Sequence, residues 1–392
     1  MKARNLILPY CIAIGALVTP SLQGQWLVEP ESKAFPEIER FFREEFEGKK
    51  AQALACKVEP IRPRVAFSFR FFTGFLAAVP AKQFTGKKNN LVLLMRVTPV
   101  GGGGAAAPPK YFAYSSDLPP IPDDPGKTLF EFSGGFYTGE GKYKVDFAVN
   151  DAKDRVCRKT WQVAAADRKI PVKLEPNAIA PVGLESWKGL NPNAPGGRVT
   201  IFMHAIPLYY RRAVTKLNAF DRITLLASLT SVLDQSQFSK ARIVVFDLLG
   251  KRVLYKQDDF DPAGYKRLVN KLETTNFGTI DIKVLQEGPS DMGMVRKLLR
   301  DELNEKQKPN AIVFLGAEGR PAQKAPADLK EYDLPAMFYM GFTRFQIPME
   351  DAMYRVVKSA RGKTITIYRP VDLANGIRSL SQAASKDGSG GN

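Results

Sequence analysis

The chain has one histidine, His204, in the stretch 198–207, RVTIFMHAIP. The apolar run at 199–203 predicts a buried strand, and the residues after it the loop where an α/β sheet usually places a ligand. An imidazole there could serve as a general base, with Asp247, near the end of a second predicted strand, as its orienting partner. No Gly-x-Ser-x-Gly nucleophile stands nearby, so a hydrolase using His204 is an alternative and a structural histidine is the favoured reading. Beyond residue 24 the cysteines are Cys56 and Cys157. Two cysteines and one histidine cannot make a four-ligand zinc site without carboxylates, so neither metal nor cofactor is expected. The richest cluster on the same rim is Tyr209, Tyr210, Arg211 and Arg212. These residues suit contact with a protein or glycan by stacking and charge, and an ordinary basic helix start explains them equally well. Glu318 and Arg320, in GAEGR, are expected on the same edge and could hold a small anion, solvated loop charges being the favoured reading. His204, Tyr209, Tyr210, Arg211, Arg212, Glu318 and Arg320 are therefore the candidate partner-binding residues.

The totals bound what such a site can serve. With 392 residues the chain can bury two cores. The 57 basic and 40 acidic residues give a formal charge of +17. Such a charge attracts acidic proteins, anionic glycans, a lipid surface or nucleic acid, and it also serves solubility alone. No long Lys/Arg run is present, which makes nucleic acid the weakest of these partners.

The N-terminus has the plan of a secretory signal peptide: Lys2 and Arg4, an apolar run at 6–18, then small and polar residues to 24. Cleavage is expected near Gly24–Gln25. The run is short for a spanning helix, so no transmembrane segment is expected after cleavage, and a retained anchor is the lesser reading. Cys11, in LPYC, lacks the small neighbours of a lipoprotein signal. The expected compartment is the periplasm, the cell surface or the medium. A chain exported there is expected to pair Cys56 with Cys157, two buried thiols being the alternative.

The elements that would position these residues follow in order. Segment 25–55 contains an amphipathic helix at 31–48, with Phe35, Ile38, Phe41, Phe42 and Phe46 at helical spacing. Segment 56–165 changes to period two, in Val65, Phe67, Phe69 and Phe71 and in Tyr143, Val145, Phe147 and Val149. Residues 91–97 form a more continuous strand, and 156–163 return with Cys157, Trp161 and Val163 on one face. An antiparallel β-sandwich follows, its first and last strands tied by Cys56–Cys157. The loop 101–109, GGGGAAAPP, precedes a strand rather than a helix, so phosphate binding is not expected. Residues 166–197, with five prolines, read as a linker in which Trp187 is pinned against a domain. From 198 to 385 strands and helices alternate. Strands at 199–203, 242–248, 252–256, 281–285, 311–315, 336–340 and 363–368 are joined by helices, the first capped by Asp221 and the third by Ser290. Three further helices are expected, at 263–272, at 349–359 and a last one carrying Leu373, Ile377 and Leu380. That is a doubly wound, Rossmann-like α/β domain with helices on both faces. Residues 386–392 read as a disordered tail.

Two stretches carry a resemblance. GKYKVDFAVND, 141–151, resembles the Gly-x-Tyr-x-Val strand of immunoglobulin-like sandwiches, with Tyr143 in the corner position. RIVVFDLLGKRVLYK, 242–256, places a tight hairpin after the second strand, an order that resembles the von Willebrand factor A domain. The chain as a whole resembles the secreted VWFA-related proteins abundant in acidobacteria. That resemblance implies a multidomain chain, an immunoglobulin-like sandwich followed by a VWA-like domain. The family holds a metal with Asp-x-Ser-x-Ser after strand one, plus a Thr and an Asp from later loops, because a hard cation needs oxygen ligands. Here the matching positions are Met203, Ala205 and Pro207, or in the other register His204, Ile206 and Leu208. Gly278–Thr279 resembles the Thr loop, and Gly316–Ala317 stand where an Asp is expected. The site is thus degenerate, and the resemblance implies a non-catalytic interaction or scaffold protein. It would hold a protein partner in the cell envelope through the rim 203–212 without metal. The alternative partner is an anionic glycan or envelope surface.

Overall fold

The computed structural model describes residues 26–46, 52–84, 89–101, 107–151, 155–172, 174–208, 216–278, 290–322, 334–343 and 348–387. The expected signal peptide, the cluster Tyr209–Arg212, the strand at 281–285 and Thr279 lie outside them. The chain divides into two units, each with its own sheets.

In the first unit alternation builds the core. β8 (Gly141–Asp151) sends Tyr143, Val145, Phe147 and Val149 to one face, and all four are fully buried. It lies between β5 (Asn89–Pro99) and β9 (Arg155–Ala165) in a sheet that also holds β1 (Trp26–Val28), β2 (Gln52–Ala53) and β6 (Lys110–Leu118), in the order β1-β6-β5-β8-β9-β2. A second sheet runs β10-β7-β4-β3, from β3 (Lys57–Val65), β4 (Phe71–Pro80), β7 (Leu129–Thr138) and β10 (Ile179–Pro181). Side chains of both sheets share one core, with Phe75 packed on Phe147 at 4.4 Å between ring centroids. The Cys56–Cys157 disulfide joins the residue before β3 to β9, and so joins the two sheets, with Cα atoms 6.0 Å apart. The Tyr143 hydroxyl donates to Gly139 O at 2.9 Å, four residues back, and burial pushes it up to about 12.

The outer face of the first sheet is covered too. α1 (Phe35–Arg40) and the π-helical turn Phe41–Glu45 lay Ile38, Phe41 and Phe42 over Val92, Leu94, Tyr111 and Ala148. The single helix expected at 31–48 is thus shorter, and it changes pitch where consecutive phenylalanines both reach the sheet. Beneath it Asp146 is buried and accepts from Arg96 and Thr160, so this buried acid is satisfied.

Three expectations about this unit are corrected. The alternating run Val65 to Phe71 is not a strand. β3 ends at Val65, β4 starts at Phe71, and Phe69 turns between them with φ 54° while its ring stays buried. The sheets draw on residues before 56, since β1 and β2 both pair within them. The stretch 166–197 is not all linker, because Ile179–Pro181 pairs antiparallel with β7.

The second unit is built on one sheet, β13-β12-β11-β14-β15-β16. β11 (Arg198–His204), β12 (Lys240–Asp247), β14 (Ala311–Ala317), β15 (Ala336–Phe342) and β16 (Lys363–Ile367) run parallel, while β13 (Arg252–Gln257) returns antiparallel along β12. The central strands are mostly apolar, as strands covered on both faces must be, with Thr200, His204, Arg242 and Asp247 as their buried polar residues. α4 (Asp291–Leu303) and α5 (Ala352–Ser359) pack on the face of Phe202, Val244, Phe314 and Tyr339. α6 (Pro370–Asp387) lies on the opposite face, where Gly376 meets Met340. α2 (Ala219–Gln235) packs against α6 and against α3 (Pro262–Thr274).

The caps correct the expected helix starts. Asn218, not Asp221, caps α2, its Oδ1 accepting from the Asp221 N–H at 2.8 Å. Ser290 caps α4 as expected, and Asp351 caps α5 three residues later than the run beginning at Met349 suggested. α6 continues to Asp387, beyond the tail expected from 386. Trp187 is pinned, with Nε1 donating to Asp234 at 2.7 Å and the indole stacked on Phe260 at 5.2 Å. Among the described residues no helix is long and apolar enough to cross a membrane.

Candidate functional site

Parallel strands β11, β12, β14 and β15 end side by side, and the chain leaving each end shapes one rim. His204 is the last residue of β11, level with Phe246 on one side and Gly316 on the other. Its ring is buried, 1% exposed, and stacked on Phe246 at 5.2 Å. Nδ1 lies 2.7 Å from Ala317 O. A carbonyl can only accept, so Nδ1 carries the proton. Nε2 is then the acceptor, and it faces the Leu248 N–H at 3.4 Å. Burial pushes this imidazole below its usual range, against the opposing pull of Ala317 O, Asp351 and Asp247. The ring is neutral and both nitrogens are spent on backbone groups.

The expected pairing of His204 with Asp247 is therefore corrected. Asp247 folds back on its own turn, Oδ1 accepting from the N–H groups of Leu249 and Gly250 at 2.9 and 3.0 Å, and Oδ2 from Arg252 at 3.3 Å. That Asx-type turn makes the β12–β13 hairpin and lifts Lys251 onto the rim with φ 50°. Gly316 is what brings Ala317 O to the ring. It holds φ 137°, and a Cβ there would strike His204 O.

Above the imidazole the described residues line a cavity of about 280 Å³. Its walls are apolar: Ile206, Leu208, Leu248, Leu249, Phe342 and Met349. Four charged side chains border it, Lys251, Asp291, Glu318 and Arg320. Lys251 pairs with Asp291 at the start of α4. Burial, then the neighbouring Arg320, push its ammonium down, while Asp247 pulls it up. Glu318 accepts from the Met349 N–H at 3.3 Å. Arg320 is exposed, and no described carboxylate pairs with it.

A buried pair supports this floor from below. The Tyr339 hydroxyl donates to Asp351 Oδ2 at 2.8 Å, and the Gly319 N–H reaches the same oxygen at 2.7 Å. Burial pushes Asp351 up against those hydrogen bonds and pushes Tyr339 well above its usual value. These bonds tie the loop after β14 to the cap of α5.

The structure thus brings His204, Glu318 and Arg320 together, as the sequence places them on one edge. Sequence reasoning missed Lys251 and Asp291, whose only signals were a turn and a helix start. It also missed the apolar walls, which come from three separate connections and the end of β15. Groups of three or more metal-ligating side chains are absent among the described residues.

No family model matches the chain. No curated protein matches it either. Among solved structures it is similar to target SoR45 of the Northeast Structural Genomics Consortium, at 11% identity and a TM-score of 0.18, over 28% of this chain and 85% of that one. It is also similar to a Bacteroides uniformis beta-glucuronidase, at 8% identity and a TM-score of 0.20, over 85% of this chain and 31% of that one.

Proposed function

We propose that this chain is an exported, non-catalytic binding protein that holds a protein partner of the cell envelope at the rim around His204. In this reading the first unit is an immunoglobulin-like sandwich and the second a VWA-like domain that works without metal. The Tyr143 hydroxyl bonded to Gly139 O supports the first assignment. The sheet order, with one antiparallel hairpin strand at its edge, supports the second.

The observation that carries the reading is the cavity above an imidazole whose two nitrogens are both engaged. A general base needs a lone pair directed at substrate. Here that lone pair meets a backbone N–H, and what remains open is an apolar recess bordered by charge. Such a recess suits an anchoring side chain from another protein. Tyr209, Tyr210, Arg211 and Arg212 lie five to eight residues beyond the end of β11 and would extend the contact.

In-cell photo-cross-linking from position 249 tests this, with position 368, exposed elsewhere on the same unit, as control. One dominant protein captured from 249 and not from 368 is the expected result. Equal capture at both positions, lost at high salt, would overturn it in favour of an anionic envelope surface.

A further inference from the structure

We infer that the cavity above His204 takes a ligand bearing a carboxylate beside a compact apolar group, with Arg320 as the counter-ion. This rests on the binding reading and names the chemistry of what is bound. Three of the four charged side chains at the cavity are already engaged, Lys251 with Asp291 and Glu318 with the Met349 N–H. Arg320 alone has no carboxylate among the described residues, so the uncommitted charge at an apolar recess is positive.

An exposed arginine is by itself ordinary. This one sits at the mouth of a recess, close enough to Lys251 to repel its charge. A carboxylate entering there meets a planar fork that can bind it through two N–H groups. The floor adds no competing charge, because the His204 ring is neutral and engaged.

Size narrows the ligand further. A volume of about 280 Å³ lies just below the range of ligand pockets, which run from about 300 to 1,000 Å³. It is large enough for one aromatic or branched group and its neighbours. Two sources offer that chemistry: a small arylalkyl carboxylic acid, or the C-terminal residue of a peptide.

The test is a titration of the full chain, read at the His204 imidazole proton resonance. His204 is the only histidine of the chain and lies on the cavity floor. The probes are 3-phenylpropionate, its amide, and N-acetyl-alanyl-phenylalanine with a free or an amidated end. Both acids should shift the resonance, and each amide should bind at least ~10-fold more weakly, as loss of one charge-assisted contact predicts. Arg320→Gln should weaken the acids at least ~10-fold and leave the amides unchanged, while Arg320→Lys should recover part of the loss. Because Arg320 is exposed, its removal spares the core, and the His204 resonance of the unliganded variant checks this. The tighter of the two acids tells a chain end from a small molecule. Equal binding of acid and amide, or no shift up to about 10 mM of either acid, overturns the inference. Neither result touches the cross-linking outcome at 249, on which the protein-partner reading stands or falls.

Discussion

Acidification should weaken the second unit through His204, and the size of the effect can be bounded. The ring is buried neutral, with a folded value below the ordinary 6.5. Between 6.5 and the folded midpoint the unfolded chain binds the extra proton. Stability from this group is therefore complete above 6.5 and is lost as pH falls below it. The slope cannot exceed one proton, about 1.4 kcal/mol per pH unit. Integrated from about pH 7.5 to about pH 5, the ceiling is about 2 kcal/mol, reached if the folded ring takes up no proton in that range. Asp351, Asp234 and Glu302, all raised by burial, act with the opposite sign and regain stability as pH falls. A variant therefore isolates the histidine. His204→Asn keeps an amide N–H where Nδ1–H stands and does not titrate. Urea unfolding followed at several pH values should show the parent chain losing up to about 2 kcal/mol more than His204→Asn over that interval. Parallel curves for the two proteins would refute the reasoning, since they would mean the ring has equal proton affinity folded and unfolded.

Three further changes probe the parts that hold this edge. Gly316→Ala, which forces a Cβ against His204 O at a positive φ, should cost about 1–3 kcal/mol in denaturant unfolding, where the same change at the open Gly183 should cost less. Asp351→Ala leaves the Tyr339 hydroxyl and the Gly319 N–H buried without their acceptor and uncaps α5, so at least about 1–3 kcal/mol should be lost, with Asp351→Asn milder. Reduction of Cys56–Cys157, which spans 101 residues of sequence, should destabilise the first unit by about 2–5 kcal/mol in thermal melts with and without reductant, and the second unit's transition should not move.

Legibility in the sequence followed the range of the interactions. β8 and β9 were readable because one face of each is core, so period two is written in Tyr143, Val145, Phe147 and Val149 and in Cys157, Trp161 and Val163. The same alternation at Val65 to Phe71 misled, because a hairpin turn that buries Phe69 uses an aromatic where a strand would. β10 has three residues in a proline-rich stretch, and its pairing with β7 is a tertiary contact that no local period announces. At the start of α2, Asn218 and Asp221 are both good caps three residues apart. The extended backbone at Asn218 chose between them.

The site shows the same division more sharply. Placing His204, Glu318 and Arg320 on one edge required only strand order. Knowing what the imidazole does required the atoms on either side of it. Gly316–Ala317 read in the sequence only as a missing acid. In the fold that glycine adopts a backbone few other residues hold, and the turn it permits aims Ala317 O at Nδ1. The pair that leaves this edge short of an oxygen side chain is thus the pair that supplies the acceptor pinning the ring. A histidine pinned there in the neutral form gives the cavity a polar but uncharged floor, and Arg320 at its mouth keeps the one charge without a described partner.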